Sequence, residues 1–340
     1  MNNVLVICGP TTSGKTSLAL SIAKQIISNQ SLRGAKRRGP LVPEGVNLTP
    51  PGSVNLLSAD SRQIYKGLDI VTGKDIPTDL PPNICFFGLD LVEPNQSFNL
   101  ADYLDYSKKI IQSSIKSHTP LIIVGGTGLY LKAITTDLLT VRVPPNRLLR
   151  LDLEKLDLPA LQSRLSILNP QKFSSLNNSD LNNPRRLIRA IEISTYDNSQ
   201  SAAFSSSNVI ASFGTPNRGN LTPSNFLWVG LKVDKEIQKS RINHRVIDRL
   251  ENGAVEEVKN LIAKYPDLHL PIYTSLGVKQ ILQFLHQEIP RETLVDLWAA
   301  SEVDYARRQT VWFKKQPGIV WYDKSTVDDH LIAKLAEIYK

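Results

Sequence analysis

The strongest chemical signal lies near the amino terminus. Gly9-Pro10-Thr11-Thr12-Ser13-Gly14-Lys15-Thr16 fits the phosphate-loop spacing G-x-x-x-x-G-K-[ST]. Its glycines let backbone N–H groups turn inward around phosphate oxygens. Lys15 adds a point charge, and the Thr16 hydroxyl is placed to bind Mg2+. The helix expected to follow contributes the positive end of its dipole. The implied ligand is a di- or triphosphate. The second signal is Asp60, within Ser58-Ala59-Asp60-Ser61-Arg62-Gln63-Ile64-Tyr65. An aspartate at a strand end can be a simple helix cap, but opposite a phosphate loop it reads as a catalytic group. The third is Gly125-Gly126-Thr127-Gly128-Leu129-Tyr130 after the apolar run Leu121–Val124. An ordinary ATPase would place a magnesium-holding acid there, and this chain has none.

These residues need a frame that brings them together. Val4–Cys8, Leu56–Asp60 and Leu121–Val124 read as short buried strands, and Thr16–Ile27 and Ala101–Lys116 carry the helical apolar spacing. Strands alternating with helices imply an α/β fold, a parallel sheet flanked by helices of the phosphate-loop NTPase type. Ligands of such sheets bind at the carboxyl ends of the strands, so the Gly9–Thr16 loop, Asp60 and Thr127 are expected around one pocket. The catalytic core is expected over 1–141 and 226–340. Residues 30–55, polar and rich in Pro and Gly, read as a flexible insertion. Residues 142–196 read as a mainly helical insertion domain, and the Ser/Asn-rich stretch 197–225 as a linker. Glu236–Tyr265 and Leu294–Lys315 look like long helices.

The chain has 340 residues, which suits two or three domains. Two cysteines, Cys8 and Cys85, exclude a disulfide scaffold. No apolar run reaches the length of a membrane span, and the start lacks the basic region of a signal peptide, so a cytoplasmic protein is expected. The net charge is +8. It is unevenly spread: 142–196 holds nine basic and five acidic residues, and 30–55 holds four basic and one acidic. A polyanionic partner is one reading, and an ordinary solvated surface is the other.

Further motifs narrow the choice. Ser-Ala-Asp60-Ser-Arg-Gln63-Ile-Tyr65-Lys-Gly-Leu-Asp69 and Val124-Gly-Gly-Thr-Gly-Leu-Tyr130 follow the phosphate loop. Asn183-Pro184-Arg185-Arg186-Leu187-Ile188-Arg189-Ala190-Ile191-Glu192, Arg241-Ile-Asn-His-Arg245 and Ala306-Arg-Arg308-Gln309-Thr-Val-Trp312-Phe313 come after them. In this order the segments resemble the tRNA dimethylallyltransferase (tRNA isopentenyltransferase) family, over 1–29 and 54–323.

The resemblance implies transfer of a dimethylallyl group from dimethylallyl diphosphate to N6 of the adenine 3′-adjacent to the anticodon of tRNA, position 37. It implies that Gly9, Pro10, Thr11, Thr12, Ser13, Gly14, Lys15 and Thr16 hold the diphosphate, with Mg2+ on Thr16. Asp60 would take the N6 proton, and Arg241 or Arg245 would join Lys15 in stabilising the departing charge. Gln63 offers a donor and an acceptor to the adenine edge. Asp60, Ser61, Arg62, Gln63, Thr127, Arg150, Arg185, Arg186, Leu187, Ile188 and Arg189 are then expected along the tRNA anticodon stem-loop. A monomer is expected.

Each assignment has a plainer counterpart. The arginines at 185, 186 and 189 could be a solvated helix face, Arg241 and Arg245 could be surface ion-pair partners, and Trp312 and Phe313 are expected to pack. Arg33, Lys36, Arg37 and Arg38 are most simply a disordered basic loop. Asn183, Phe86-Phe87-Gly88-Leu89-Asp90 and Ser275–Gln280 depart from the family pattern, which bears on tRNA affinity and not on the reaction class. The competing reading is a phosphate-loop small-molecule kinase using ATP.

Overall fold

A computed structural model describes residues 3–32, 50, 52–77, 79–136, 141, 143–204 and 225–339. Arg33, Lys36, Arg37 and Arg38, most of the 30–55 insertion, and 205–224 of the linker lie outside the described residues. The chain divides into two compact units, Met1–Thr136 with Arg218–Lys340, and Asp137–Asn217.

The larger unit is built on six parallel strands: β1 (Val4–Cys8), β2 (Val54–Ser58), β3 (Ile84–Phe87), β4 (Leu121–Gly125), β5 (Phe226–Lys232) and β6 (Ile319–Asp323). Their order across the sheet is β3-β2-β4-β1-β5-β6. The central strands are continuous apolar runs because both faces of a parallel sheet are covered. Alternate side chains of β1 show this directly. Leu5 and Ile7 pack with Leu18, Ile22 and Ile26 of α1 (Lys15–Leu32) on one face. Val4, Val6 and Cys8 pack on the other face with Tyr103 and Ile111 of α2 (Leu100–Lys116) and with Tyr130 and Leu131 of α3 (Gly128–Thr135). Register then fixes where function can sit: Cys8 lies beside Gly125 on one side and Gly230 on the other, so the loops leaving β1, β4 and β5 emerge at one level.

The smaller unit contains α4 (Arg147–Leu153), α5 (Leu158–Leu168), α6 (Pro170–Ser174), α7 (Asn178–Leu181) and α8 (Pro184–Phe204). Four of these are short, and each begins on a side-chain cap: Asn146, Asp157, Asn169 and Asn177 accept from backbone N–H groups of the first turn. Asn183 does the same for Arg186 N–H at 3.2 Å. The core is Leu153, Leu161, Leu165, Leu187, Ile188, Ala190 and Ile191. With so few apolar layers, Leu187→Ala is expected to cost this unit about 3 kcal/mol. Hydrogen exchange of α5 and α8 amides would register that loss, whereas unchanged protection would show that the core does not depend on Leu187.

The rest of the larger unit is helical: α9 (Lys235–Glu251), α10 (Ala254–Lys264), α11 (Val278–Leu285), α12 (Arg291–Lys314) and α13 (Asp329–Ala336). Trp298, Ala299 and Ala306 of α12 meet Ile242, Val246 and Leu250 of α9 in one apolar cluster.

Several boundaries differ from the sequence reading. The expected helix Glu236–Tyr265 is two helices, broken at Asn252-Gly253. Helix α8 runs on to Phe204, so the polar stretch from 197 starts as helix. The first helix reaches Leu32, past the expected start of the insertion. The strand expected to include Asp60 ends at Ser58, which leaves the carboxylate two residues out on the loop. Strands β3 and β6 lie at the sheet edges, and at four and five residues both are too short to give a clear periodic signal.

Candidate active site

The phosphate loop leaves β1 through Gly9, whose φ is +145°. A Cβ there would stand 2.6 Å from the Leu231 carbonyl oxygen of β5, so this crossing tolerates only glycine. Beyond it the hydroxyls of Thr12 and Ser13 are buried without a hydrogen-bond partner among the described residues. Buried polar groups rarely stay unpaired; these two suit a ligand with acceptor oxygens. Lys15 Nζ donates to the Pro10 carbonyl at 2.6 Å, folding the side chain back over its own loop. Burial, reinforced by the charge of Arg245 and opposed by Asp60, lowers the Lys15 pKa to about 8. Thr16 lines the same cavity.

Two helices from the far end of the chain brace this loop. The Thr11 N–H donates to Gln309 Oε1 of α12 at 2.8 Å, and the Thr11 carbonyl accepts from Gln238 Nε2 of α9 at 3.0 Å. Arg245 reaches the Thr11 hydroxyl at 3.1 Å. The Gln309 amide also donates to the Gly126 carbonyl at 2.9 Å, tying the loops after β1 and β4 together.

Asp60 follows β2. Its Oδ1 accepts the Arg62 N–H at 2.9 Å, and its other oxygen makes no hydrogen bond among the described residues. Thr127 N–H donates to the Ala59 carbonyl at 3.1 Å, while its hydroxyl accepts from Ser61 N–H at 3.0 Å. Thr127 is thus tied to the loop that carries Asp60, but unlike the phosphate loop and Asp60 it is not in the wall of the cavity those two share. Tyr305 borders the same space, its hydroxyl pKa pushed up by burial and by the Asp60 charge. A cavity of about 850 Å3 joins these groups, with Asp60, Lys15, Thr16, Arg62, Gln63 and Arg245 in its wall.

Some expectations need correction. Gln63 lines the cavity, but its edge is not free: Oε1 accepts from Ser58 Oγ at 3.0 Å and Nε2 donates to the Gly73 carbonyl at 2.8 Å. Arg62 is held at the rim by the Pro271 carbonyl at 3.1 Å. Arg241 is exposed and is not part of the wall, whereas Arg249, unassigned from sequence, is. Helical geometry explains the exchange. At 3.6 residues per turn, Gln238, Arg245 and Arg249 share one face within about 40°, while Arg241 falls about 80° from Arg249. The spacing to Gln238 was a signal that could have found it.

In the smaller unit, Leu187 and Ile188 are core residues; burial takes their side chains away from any RNA. Arg150 and Arg189 converge on Glu192, whose side chain is 1% exposed. Arg150 binds it in bidentate fashion at 2.9 and 2.8 Å, and Arg189 also donates to the Val143 carbonyl at 2.8 Å. Burial raises the Glu192 pKa, but the hydrogen bonds from Arg150 and Arg189 outweigh it and hold the carboxyl below its ordinary value. These two arginines therefore serve the fold of the unit first. Arg185 is exposed, and Arg186 is an exposed partner of Asp180. Trp312 and Phe313 pack as expected, Phe313 in the core beneath the sheet.

With this geometry in hand, known proteins offer a comparison. A family model described as IPP transferase matches residues 63–316. A tRNA dimethylallyltransferase of Halothermothrix orenii is 31% identical over 96% of this chain and 89% of its own. One from Synechocystis is 32% identical over 94% and 90%. Among solved structures, the full-length tRNA isopentenylpyrophosphate transferase of Bacillus halodurans matches with a TM-score of 0.64 at 25% identity, covering 99% of this chain and 95% of that one. A eukaryotic dimethylallyltransferase acting on tRNA shares the fold, with a TM-score of 0.70 at 22% identity over 95% and 74%.

Proposed function

Because this chain belongs to the IPP transferase family, we propose that it transfers a dimethylallyl group from dimethylallyl diphosphate to N6 of the adenine at position 37 of tRNA. The observation that carries the reading is the single cavity shared by the phosphate loop and Asp60. One side offers a cradle for a leaving diphosphate, the other a carboxylate with an unused oxygen.

The chemistry follows from that pairing. An exocyclic adenine amine is a weak nucleophile, so the allylic carbon–oxygen bond must weaken as the amine approaches. The N6 lone pair forms the new carbon–nitrogen bond, and the bond to the diphosphate oxygen breaks with its electron pair. Lys15, Arg245 and the inward N–H groups of the loop stabilise the charge that develops on the departing diphosphate. Asp60 accepts the N6 proton through the oxygen that Arg62 leaves free. The adenine leaves its stack to reach this depth, at a cost of a few kcal/mol.

The Thr16 hydroxyl would supply a hard oxygen ligand of the kind Mg2+ prefers. No group of three or more His, Cys, Asp or Glu side chains that could hold a metal is found among the described residues, so the diphosphate and water would have to supply the other ligands. When bound, Mg2+ neutralises part of the diphosphate charge. The exposed Arg185 and Arg186 then belong on anticodon-stem phosphates. Arg186→Ala is expected to weaken tRNA binding, lower the slope of log affinity against log salt by about 1, and leave donor binding alone. An unchanged salt slope would remove Arg186 from the RNA contact.

No helix among the described residues is long and apolar enough to cross a membrane, which suits an enzyme meeting tRNA in the cytoplasm. The kinase reading gains nothing from the fold: β4 ends at Gly125 and runs into Gly126-Thr127, with no carboxylate at that strand end. Diphosphate release should require tRNA and dimethylallyl diphosphate together and stop when adenine 37 is replaced by guanine. Release that continues with guanine there would refute the position.

A further inference from the structure

The α9 face turned toward the phosphate loop carries a second guanidinium whose surroundings are unusual for a structural arginine. Arg249 is buried, 6% exposed. One terminal nitrogen donates to Glu302 of α12 at 3.1 Å, and its Nε has no hydrogen-bond partner among the described residues. Its Cζ lies 5.8 Å from the centre of the Trp298 ring. The other terminal nitrogen meets Arg245 across Gly73. A Cβ placed on Gly73, whose φ is +62°, would stand 1.8 Å from Arg249 and 2.4 Å from Arg245. The two cationic nitrogens are therefore close neighbours, and only glycine leaves room for both.

Two guanidiniums in contact repel each other, and burial deepens the penalty. Each has one counterion to the side: Asp75 for Arg245 and Glu302 for Arg249. Both arginines line the cavity. Burial, followed by the charge of Arg245, lowers the Arg249 pKa from its ordinary value, the direction expected for a cation awaiting an anion. Paired planar forks match phosphate oxygens well.

We propose that Arg249 is a donor-binding residue, forming with Arg245 a guanidinium pair that grips the diphosphate beside the Gly9–Thr16 loop. This rests on the donor named in the proposed function. A diphosphate fits better than a tRNA backbone phosphate for two reasons. Arg245 is anchored to Thr11 of the loop itself, and Arg249 is too deeply buried to meet an anion outside the cavity. Glu302, which also lines the cavity, is a positioning residue that holds one terminal nitrogen of the fork.

Calorimetry on the full chain without tRNA tests this, with inorganic pyrophosphate and dimethylallyl diphosphate as probes. The variants are Arg249→Met, Arg249→Lys, and Arg249→Met combined with Glu302→Met. The double variant removes the buried carboxylate that Arg249→Met alone would strand, and so keeps the test usable if the single variant unfolds. Arg249→Met and the double variant are expected to raise both dissociation constants at least about tenfold. Arg249→Lys should recover part of the loss, and tRNA affinity should stay within about twofold. Pyrophosphate binding within about twofold of the parent in the folded double variant would overturn the proposal. A loss confined to tRNA binding would overturn it too, assigning the pair to an RNA phosphate. If the parent chain binds neither probe, the donor reading itself falls and the proposal with it.

Discussion

Replacing Asp60 with asparagine is expected to lower the single-turnover rate of prenyl transfer by about 10³-fold, within the usual range for removing a general base. The substitution is close to isosteric. Its amide oxygen can still accept the Arg62 N–H that Oδ1 now accepts, so the loop after β2 should keep its shape. What disappears is the basic oxygen available to the N6 proton. Binding of tRNA and of donor should therefore remain within about twofold, and the loss should appear in the chemical step. A rate close to that of the parent would remove Asp60 from the mechanism and leave it as the cap of its own turn.

Lys15→Met is expected to have an effect of similar size on a different observable. The side chain keeps its length and loses the ammonium, so kcat/KM for dimethylallyl diphosphate should fall about 10²- to 10³-fold while tRNA affinity is retained. The parent enzyme should also show a pH signature. The Lys15 pKa is lowered to about 8, so the ammonium is present below that pH and lost above it. The dissociation constant of the donor should thus be nearly flat approaching pH 8 and rise above it, by at most about tenfold per pH unit. In Lys15→Met that rise should vanish. Donor affinity that improves with pH in the parent would contradict the assigned role.

The two residues with the largest expected effects were also the most legible in the sequence. Lys15 sits in a motif whose eight positions are contiguous, so chain connectivity itself supplies the geometry. Asp60 was legible because β2 ends in an apolar run and parallel strands present their carboxyl ends to the ligand. Gln309 stands in a motif segment that gives it no role, and Tyr305 and Arg249 carry no motif signal of their own. Arg249 is remote in sequence from both Gly73 and Glu302, and only the packing of α9 on α12 brings the three together. Spacing within a motif also cannot separate contact from core. The Arg185–Arg189 segment contains two exposed arginines, two buried aliphatic residues and one arginine held by Glu192. Read from the sequence all five positions are assigned to the RNA, whereas the structure divides them by which side of α8 faces the core. Arg241 shows the same limit: a four-residue step places it beside Arg245 on paper, and the helical rotation turns it away from the cavity.

The central claim is that one cavity joins a diphosphate cradle to a base that accepts a proton from adenine N6. It is tested most directly by incubating the protein with undermodified tRNA, dimethylallyl diphosphate and Mg2+, then analysing the digested nucleosides by mass spectrometry. The account predicts N6-(dimethylallyl)adenosine with the parent chain and almost none with Asp60→Asn. Unmodified adenosine from the parent, together with ATP consumption in the presence of a small-molecule acceptor, would contradict it and point to the kinase instead.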